Sequence, residues 1–330
     1  MSQVDLQDGG AKARVAGPLP PLRPPETRNG RIARRVLTWL SRLPLPLNHA
    51  LGSLVGTLIY FTPMAPRRNA DVNLRQCFPE LGWWARQKLL FRSLQETVKS
   101  ITELGFIWGR PPAQSLGKVQ AVVGEEMLAA AIASDRPILF GASHLGAWEL
   151  LSGYMSDCLT TAILYRPRSD RCADALITDC RERYGARMVA AGAQGVRVLL
   201  RHMKAGDAIG ILPDHKPRPG NGAFAPFFGH PAYTMRLFAK LATKHDPIIL
   251  FGFMERLPLG RGFRLHITEP EPGVGSDDEL TSLTAMNATI ERLVRQKPEQ
   301  YQWTYQRFDI QPEGIDFGYY HRPKPEEGEE

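Results

Sequence analysis

Cysteine is scarce: only Cys77, Cys158, Cys172 and Cys180 occur, with no C-x-x-C pair. That excludes a disulfide framework and a zinc ribbon and indicates a reduced compartment. No GxxxxGK[ST] loop is present, and Gly192 and Gly195 do not make a GxGxxG, so neither a P-loop nor a dinucleotide site is expected. Zinc-finger spacing, a basic heptad region and an RNP-type aromatic motif are missing too, and nucleic acid is not expected as a partner. Residues 1–29 are rich in Pro, Gly and charge, have no signal-peptide h-region and read as a disordered tail.

What is there is basic. The 330 residues carry a formal charge of +7 and a pI of about 9.3. Such a balance favours anionic partners: a phospholipid surface, a phosphorylated substrate or an acidic carrier protein. With 43% hydrophobic residues, the chain can bury one large α/β domain or two smaller ones. Arg31, Arg34, Arg35 and Arg42 interleave with Ile32, Val36, Leu37, Trp39 and Leu40, the pattern of a basic amphipathic helix with an interfacial tryptophan. Residues 49–64 are nearly uncharged but short of the ~20 apolar residues of a membrane span. They lie in the interface, re-enter, or span with help from their flanks. Residues 69–108 read as two helices, with Glu96 and Glu103 at solvated or polar helix positions. The expectation is a helical, membrane-associating region over 30–110.

After Pro111 and Pro112 the pattern alternates. Strands are expected at 119–123, 137–142, 160–165, 186–190, 208–213, 247–254 and 263–268, with helices between them and a long terminal helix at 277–297. This predicts an α/β domain over 111–312, a mostly parallel central sheet flanked by helices, and a polar, disordered tail over 313–330. Ligand sites in such sheets lie at the carboxyl ends of strands. Candidates fall at those ends: His144 and Glu149 after one strand, Arg166 after the next, and Asp214 after a third. His144 and Glu149 are five apart, about 140° around a continuous helix. They face each other only if His144 sits in a turn ahead of the helix, and 137–151 supplies a strand-to-helix junction. Ser143 has no G-x-S-x-G elbow around it and is not read as a nucleophile. The loop 216–233 carries Phe224, Phe227 and Phe228, which line an apolar ligand channel or plug a core edge.

The blocks SHLGAWEL, LYRP, GILPD, FAPFFGHPAYT and QWTYQRF, preceded by RRNADVNLRQCFPEL, resemble the bacterial lipid A biosynthesis (lauroyl/myristoyl) acyltransferase family over about residues 35–308. The resemblance implies a fold like that of glycerolipid acyltransferases and a site on the cytoplasmic face of the inner membrane. It implies acyl transfer from acyl carrier protein to a hydroxyl of a phosphorylated, acylated glucosamine disaccharide, with no cofactor and no metal. The family's H-x4-D/E motif falls on His144 and Glu149, and its later arginine and aspartate blocks on Arg166 and Asp214. Two positions depart from its pattern: His215 stands where Gln is common, and Tyr305-Gln306 precede Arg307 where a more basic pair is common. On this reading His144 is the general base, Glu149 holds its tautomer, and Arg166 and Asp214 bind substrate. Phe227 and Phe228 wall the acyl chain. The alternatives are another acceptor (a lysophospholipid, glycolipid or amino-acid lipid) or a non-catalytic lipid-binding protein of this fold.

Overall fold

The computed structural model describes residues 27–314 and Tyr320. Most of the tails expected at 1–29 and 313–330 lies outside the described residues. Thr27, however, caps the first helix through its side chain, and Tyr320 is buried, its hydroxyl donating to Asn73 at 2.5 Å.

The chain begins with helices α1 (Arg28–Arg42), α2 (Leu45–Tyr60), α3 (Ala65–Cys77), α4 (Trp83–Thr102), α5 (Leu104–Gly109) and α6 (Pro112–Leu116). There follow β1 (Val119–Val123), α7 (Glu125–Ala133), β2 (Ile138–Gly146), α8 (Trp148–Cys158), β3 (Thr161–Tyr165), α9 (Arg171–Glu182), β4 (Arg187–Ala190), α10 (Ala193–Lys204) and β5 (Ala208–Ile211). The last part is β6 (Gly222–Phe227), β7 (His230–Met235), α11 (Arg236–Ala242), β8 (Ile248–Arg256), β9 (Phe263–Thr268) and α12 (Glu279–Gln296).

Seven strands form one sheet in the order β1-β9-β8-β2-β5-β3-β4. β8, β2, β5, β3 and β4 run parallel, and β9 returns antiparallel to β8 with β1 parallel to it. The α/β class and the mostly parallel sheet are as the alternating pattern predicts. Side chains alternate between the faces of a strand, so β2 and its neighbours feed two cores. Leu139, Ile209, Ile211 and Phe251 pack with residues of α10, α11 and α12. Ile138, Phe140, Ala208 and Leu250 pack on the other side with Phe106 and Ile107 of α5, Leu128 of α7 and Leu150 of α8. Leu37 and Leu45 of the N-terminal helices belong to this second core, so that region and the sheet are built as one body.

Helix α2 presses Gly52 and Gly56 against α4. A Cβ on either would come within 2.8 Å of the Lys99 Cα or 2.5 Å of the Gln95 Cα. The opposite stripe, Leu47, Leu54 and Leu58, is exposed. No helix among the described residues is long and apolar enough to cross a membrane.

Two elements differ from the sequence expectation. β2 runs on through Gly146, so His144 lies in extended chain rather than in a turn, and only Ala147 separates the strand from α8. The 216–233 loop is largely a hairpin, β6 paired antiparallel with β7. Its two-residue turn is Phe228-Gly229, with φ of 50° and 76°. Positive φ at both turn positions matches the right-handed twist of the strands. The usual Asn-Gly signature is replaced by a phenylalanine, which left the hairpin invisible to turn chemistry.

Candidate active site

The end of β2 is irregular in a way that aims His144. From Ala142 to Gly146 the strand advances four residues while β8 advances two, from Gly252 to Met254. Ser143, His144 and Leu145 therefore leave the ladder, and a C-terminal segment pairs with them instead. Gln302 donates its N–H to the His144 carbonyl at 3.0 Å, and Leu145 forms an isolated bridge with Tyr301. Gly146 makes the re-entry possible: its φ is +65°, and a Cβ there would stand 1.9 Å from the Met254 carbonyl oxygen.

A buried lattice fixes that corner. Arg256, at the end of β8, donates to the Gly146 carbonyl at 2.7 Å. It also donates to both oxygens of Glu103, at 2.7 and 2.8 Å, and Glu103 meets His49 Nε2 at 3.0 Å. Glu103 is buried, so of its two readings, a solvated or a polar helix position, the solvated one is corrected. Burial alone would raise its carboxyl, but Arg256 and His49 hold it below the ordinary range.

Asp214, in the loop after β5, completes a pair with His144 because β5 lies beside β2 in the sheet. Its Oδ1 sits 2.9 Å from His144 Nδ1, and its Oδ2 accepts the His144 backbone N–H at 2.9 Å. Burial disfavours the charged carboxylate, yet the His144 imidazole, its hydrogen bonds and His215 outweigh that and hold Asp214 well below the carboxylate range. An ionised carboxylate only accepts, so Nδ1 carries the hydrogen, and in the neutral imidazole the lone pair is then on Nε2.

Glu149 does not take this place. Its carboxylate receives Arg181 of α9 through Nε at 2.8 Å and Nη2 at 2.6 Å. The expected His144–Glu149 dyad is corrected on this point. With His144 in the strand, the ring turns toward the β5 loop, and Glu149, in the first turn of α8, turns toward α9. Ser143 is fully buried with its hydroxyl unpartnered and is not presented as a nucleophile.

Arg166 lies immediately past β3, on the same carboxyl edge as His144 and Asp214, and is exposed. Phe227 and Phe228 are enclosed: Phe227 lies near Tyr301 and Phe308, and Phe228 packs on Phe78 and Trp303. Of the two readings for this loop, the buried packing of these two residues favours the core-edge plug.

Sequence reasoning missed the ring partners of His144, which come from the β5–β6 loop and from the C-terminal segment. His215 stacks on His144 with ring centroids 3.6 Å apart and planes 1° from parallel. Tyr305 stacks on the far face of His215 at 3.7 Å and 9°. The two departures from the family pattern are thus in contact. Arg307, buried behind them, donates to the Tyr233 carbonyl and the Thr234 hydroxyl at 2.8 and 3.0 Å. The sequence signals for this group were the aromatic and basic density of QWTYQRF and the two departures themselves, neither of which indicated the stack.

His144, Asp214 and His215 bring potential ligand atoms within 4.8 Å of one another. An ion bound by an imidazole lies near the ring plane, and two parallel planes this far apart cannot both contain it. The stack is not a shared metal site in this arrangement.

Comparison with known proteins places the chain. The sequence profile of the bacterial lipid A biosynthesis acyltransferase family matches residues 31–309. The chain is 26% identical over 288 residues to the lipid A biosynthesis lauroyltransferase of Escherichia coli K12, covering 84% of this chain and 93% of the relative. It is 28% identical over 290 residues to the palmitoleoyltransferase of the same organism, covering 84% and 92%. To the myristoyltransferase it is 24% identical over 266 residues, 78% of each chain. The chain is an acyltransferase and belongs to the bacterial lipid A biosynthesis acyltransferase family.

Proposed function

We propose that the protein transfers a fatty acyl group from acyl carrier protein to a hydroxyl of a lipid A precursor, at the cytoplasmic face of the inner membrane. The carrying observation is the His144–Asp214 pair at the carboxyl edge of the sheet, its Nδ1 hydrogen held and its Nε2 left to take a proton. The names of the relatives support lipid A as the acceptor, the family resemblance alone suggests acyl carrier protein as the donor, and the basic surface suits both an acidic carrier and a phosphorylated acceptor.

An alcohol is a weak nucleophile until its proton leaves as the new bond forms. His144 Nε2 takes that proton while the acceptor oxygen attacks the thioester carbonyl. The tetrahedral intermediate collapses with loss of the thiolate, which recovers the proton from the imidazolium and departs as the thiol. Asp214 keeps the tautomer and offsets the imidazolium charge, the part that the acid plays in a catalytic triad. Glu149 acts through Arg181, fixing a charge-balanced guanidinium beside the first turn of α8. Arg166, exposed on the same edge, meets substrate phosphate or the developing oxyanion.

Replacing His144 with Ala is expected to lower turnover by about two to four decades, measured with acyl-acyl carrier protein and a lipid A precursor. Turnover at the wild-type rate would remove His144 from the base role. Mass spectrometry of lipids from cells with and without the protein tests the acceptor. A missing secondary acyl chain on lipid A is expected. Unchanged lipid A with altered phospholipids would move the acceptor to another lipid.

A further inference from the structure

His215 has no part in the chemistry above, although it lies against the base. Asp214 holds His144 at Nδ1 and at the backbone N–H, both along one edge. A ring held at one edge can still tilt about that line. Trp148 also approaches His144, but tilted at 58° with centroids 5.3 Å apart, and gives no flat support. The flat support comes from His215 at 3.6 Å. His215 is itself backed by Tyr305, whose hydroxyl accepts the Lys216 N–H at 3.2 Å.

We infer that His215 is a positioning residue: its ring, braced by Tyr305, holds the plane of the His144 imidazole so that Nε2 stays aimed at the acceptor hydroxyl. This rests on His144 being the base.

The charge arrangement agrees with the geometry. Proton transfer leaves an imidazolium flat against His215, and two adjacent cations would repel. The groups facing His215 are His144 from β2, Asp214 beside it in the β5–β6 loop, and Tyr305, Arg307 and Gln302 from the C-terminal segment. Burial, then His144, push His215 down to about 3, with Asp214 opposing. With His215 uncharged, an imidazolium formed at His144 meets no second cation across the stack.

The test uses the purified full chain with acyl-acyl carrier protein and a lipid A precursor, comparing wild type with H215A, H215Q, H215F and H144A. H215A and H215Q remove the flat ring, and kcat is expected to fall roughly 10- to 100-fold, the scale of a misplaced catalytic group, with KM and thermal midpoint little changed. H215F restores the ring without a titrating nitrogen and should recover most of the rate. The acid limb of kcat against pH should keep unit slope in wild type and H215F. Wild-type kcat in H215A or H215Q, an H215F as slow as H215Q, a loss confined to KM, or a wild-type acid limb of slope two would each overturn the assignment. Full activity in H144A overturns the base reading and this one with it. An inactive H144A beside a fully active H215Q overturns the positioning role alone.

Discussion

A histidine serves as a base only when one ring nitrogen is held with its hydrogen and the other keeps its lone pair. Here the holder is a buried carboxylate whose two oxygens are both committed to the same residue, one to Nδ1 and one to the backbone N–H. Asp214→Asn keeps the shape but lets the side-chain amide donate toward Nδ1, which favours the wrong tautomer. Turnover is expected to fall about 10²- to 10⁴-fold. The same substitution reads out in stability. The native carboxyl lies below its unfolded value of about 3.9. Its stabilisation is therefore fully present above about pH 4 and fades as pH falls toward the native value. Chemical denaturation should show wild type losing stability below about pH 4 and D214N losing less over the same window. A D214N enzyme with wild-type turnover would detach Asp214 from the base. His144 and Asp214 were both legible in the sequence, since each follows an apolar run and site residues gather at strand ends. Their pairing was not, because it depends on β5 lying beside β2, and nothing local to either residue encodes that order.

At the scale of elements, the site depends on how the end of β2 is held while out of register. Gly146 supplies the backbone conformation, and Arg256 supplies the clamp, tying Gly146 to Glu103 between α4 and α5. All of this is buried, so removing one partner leaves a charge without compensation. Arg256→Met should cost about 3–5 kcal/mol, the range for breaking a buried ion pair, read as a lower urea midpoint at unchanged slope. Adding Glu103→Leu should recover part of the loss, since an apolar replacement of both partners removes the stranded carboxylate. A single variant within ~1 kcal/mol of wild type would show that the clamp carries little. The strand and helix pattern of the α/β part was legible to within a few residues, as with β3 and β5, because buried parallel strands leave short apolar runs. The clamp was not. Glu103 sits in a helical stretch like any solvated glutamate, and only the tertiary approach of β8 distinguishes it. The hairpin failed for a local reason, a phenylalanine occupying a turn position with positive φ.

At the scale of the molecule, the N-terminal helices share a core with the sheet yet leave two stripes uncovered. On α1, Ile32, Val36 and Trp39 are exposed, and Arg31, Arg34, Arg35, Thr38, Trp39 and Arg42 line an open groove. On α2 the stripe away from α4 is leucine-rich and exposed, and Phe61 beyond its end is 76% accessible. Guanidinium groups interleaved with tryptophan and aliphatic side chains suit the headgroup boundary of an anionic bilayer, where each basic residue near the surface contributes ~1 kcal/mol. The acceptor of the proposed reaction is itself anchored in a bilayer, so binding there would bring the sheet edge to its substrate. Arg31→Gln, Arg35→Gln and Arg42→Gln together should then lower partitioning onto vesicles containing anionic phospholipid by about 100-fold at low salt, the equivalent of ~3 kcal/mol. Wild type should show the same trend as salt rises, because a Debye length near 10 Å at 0.1 M screens the attraction. Turnover on a detergent-dispersed acceptor should be nearly unaffected, since none of the three arginines lies at the carboxyl edge of the sheet. Equal partitioning of the triple variant and wild type, or equal binding of wild type to neutral and anionic vesicles, would show that this face does not carry the membrane contact.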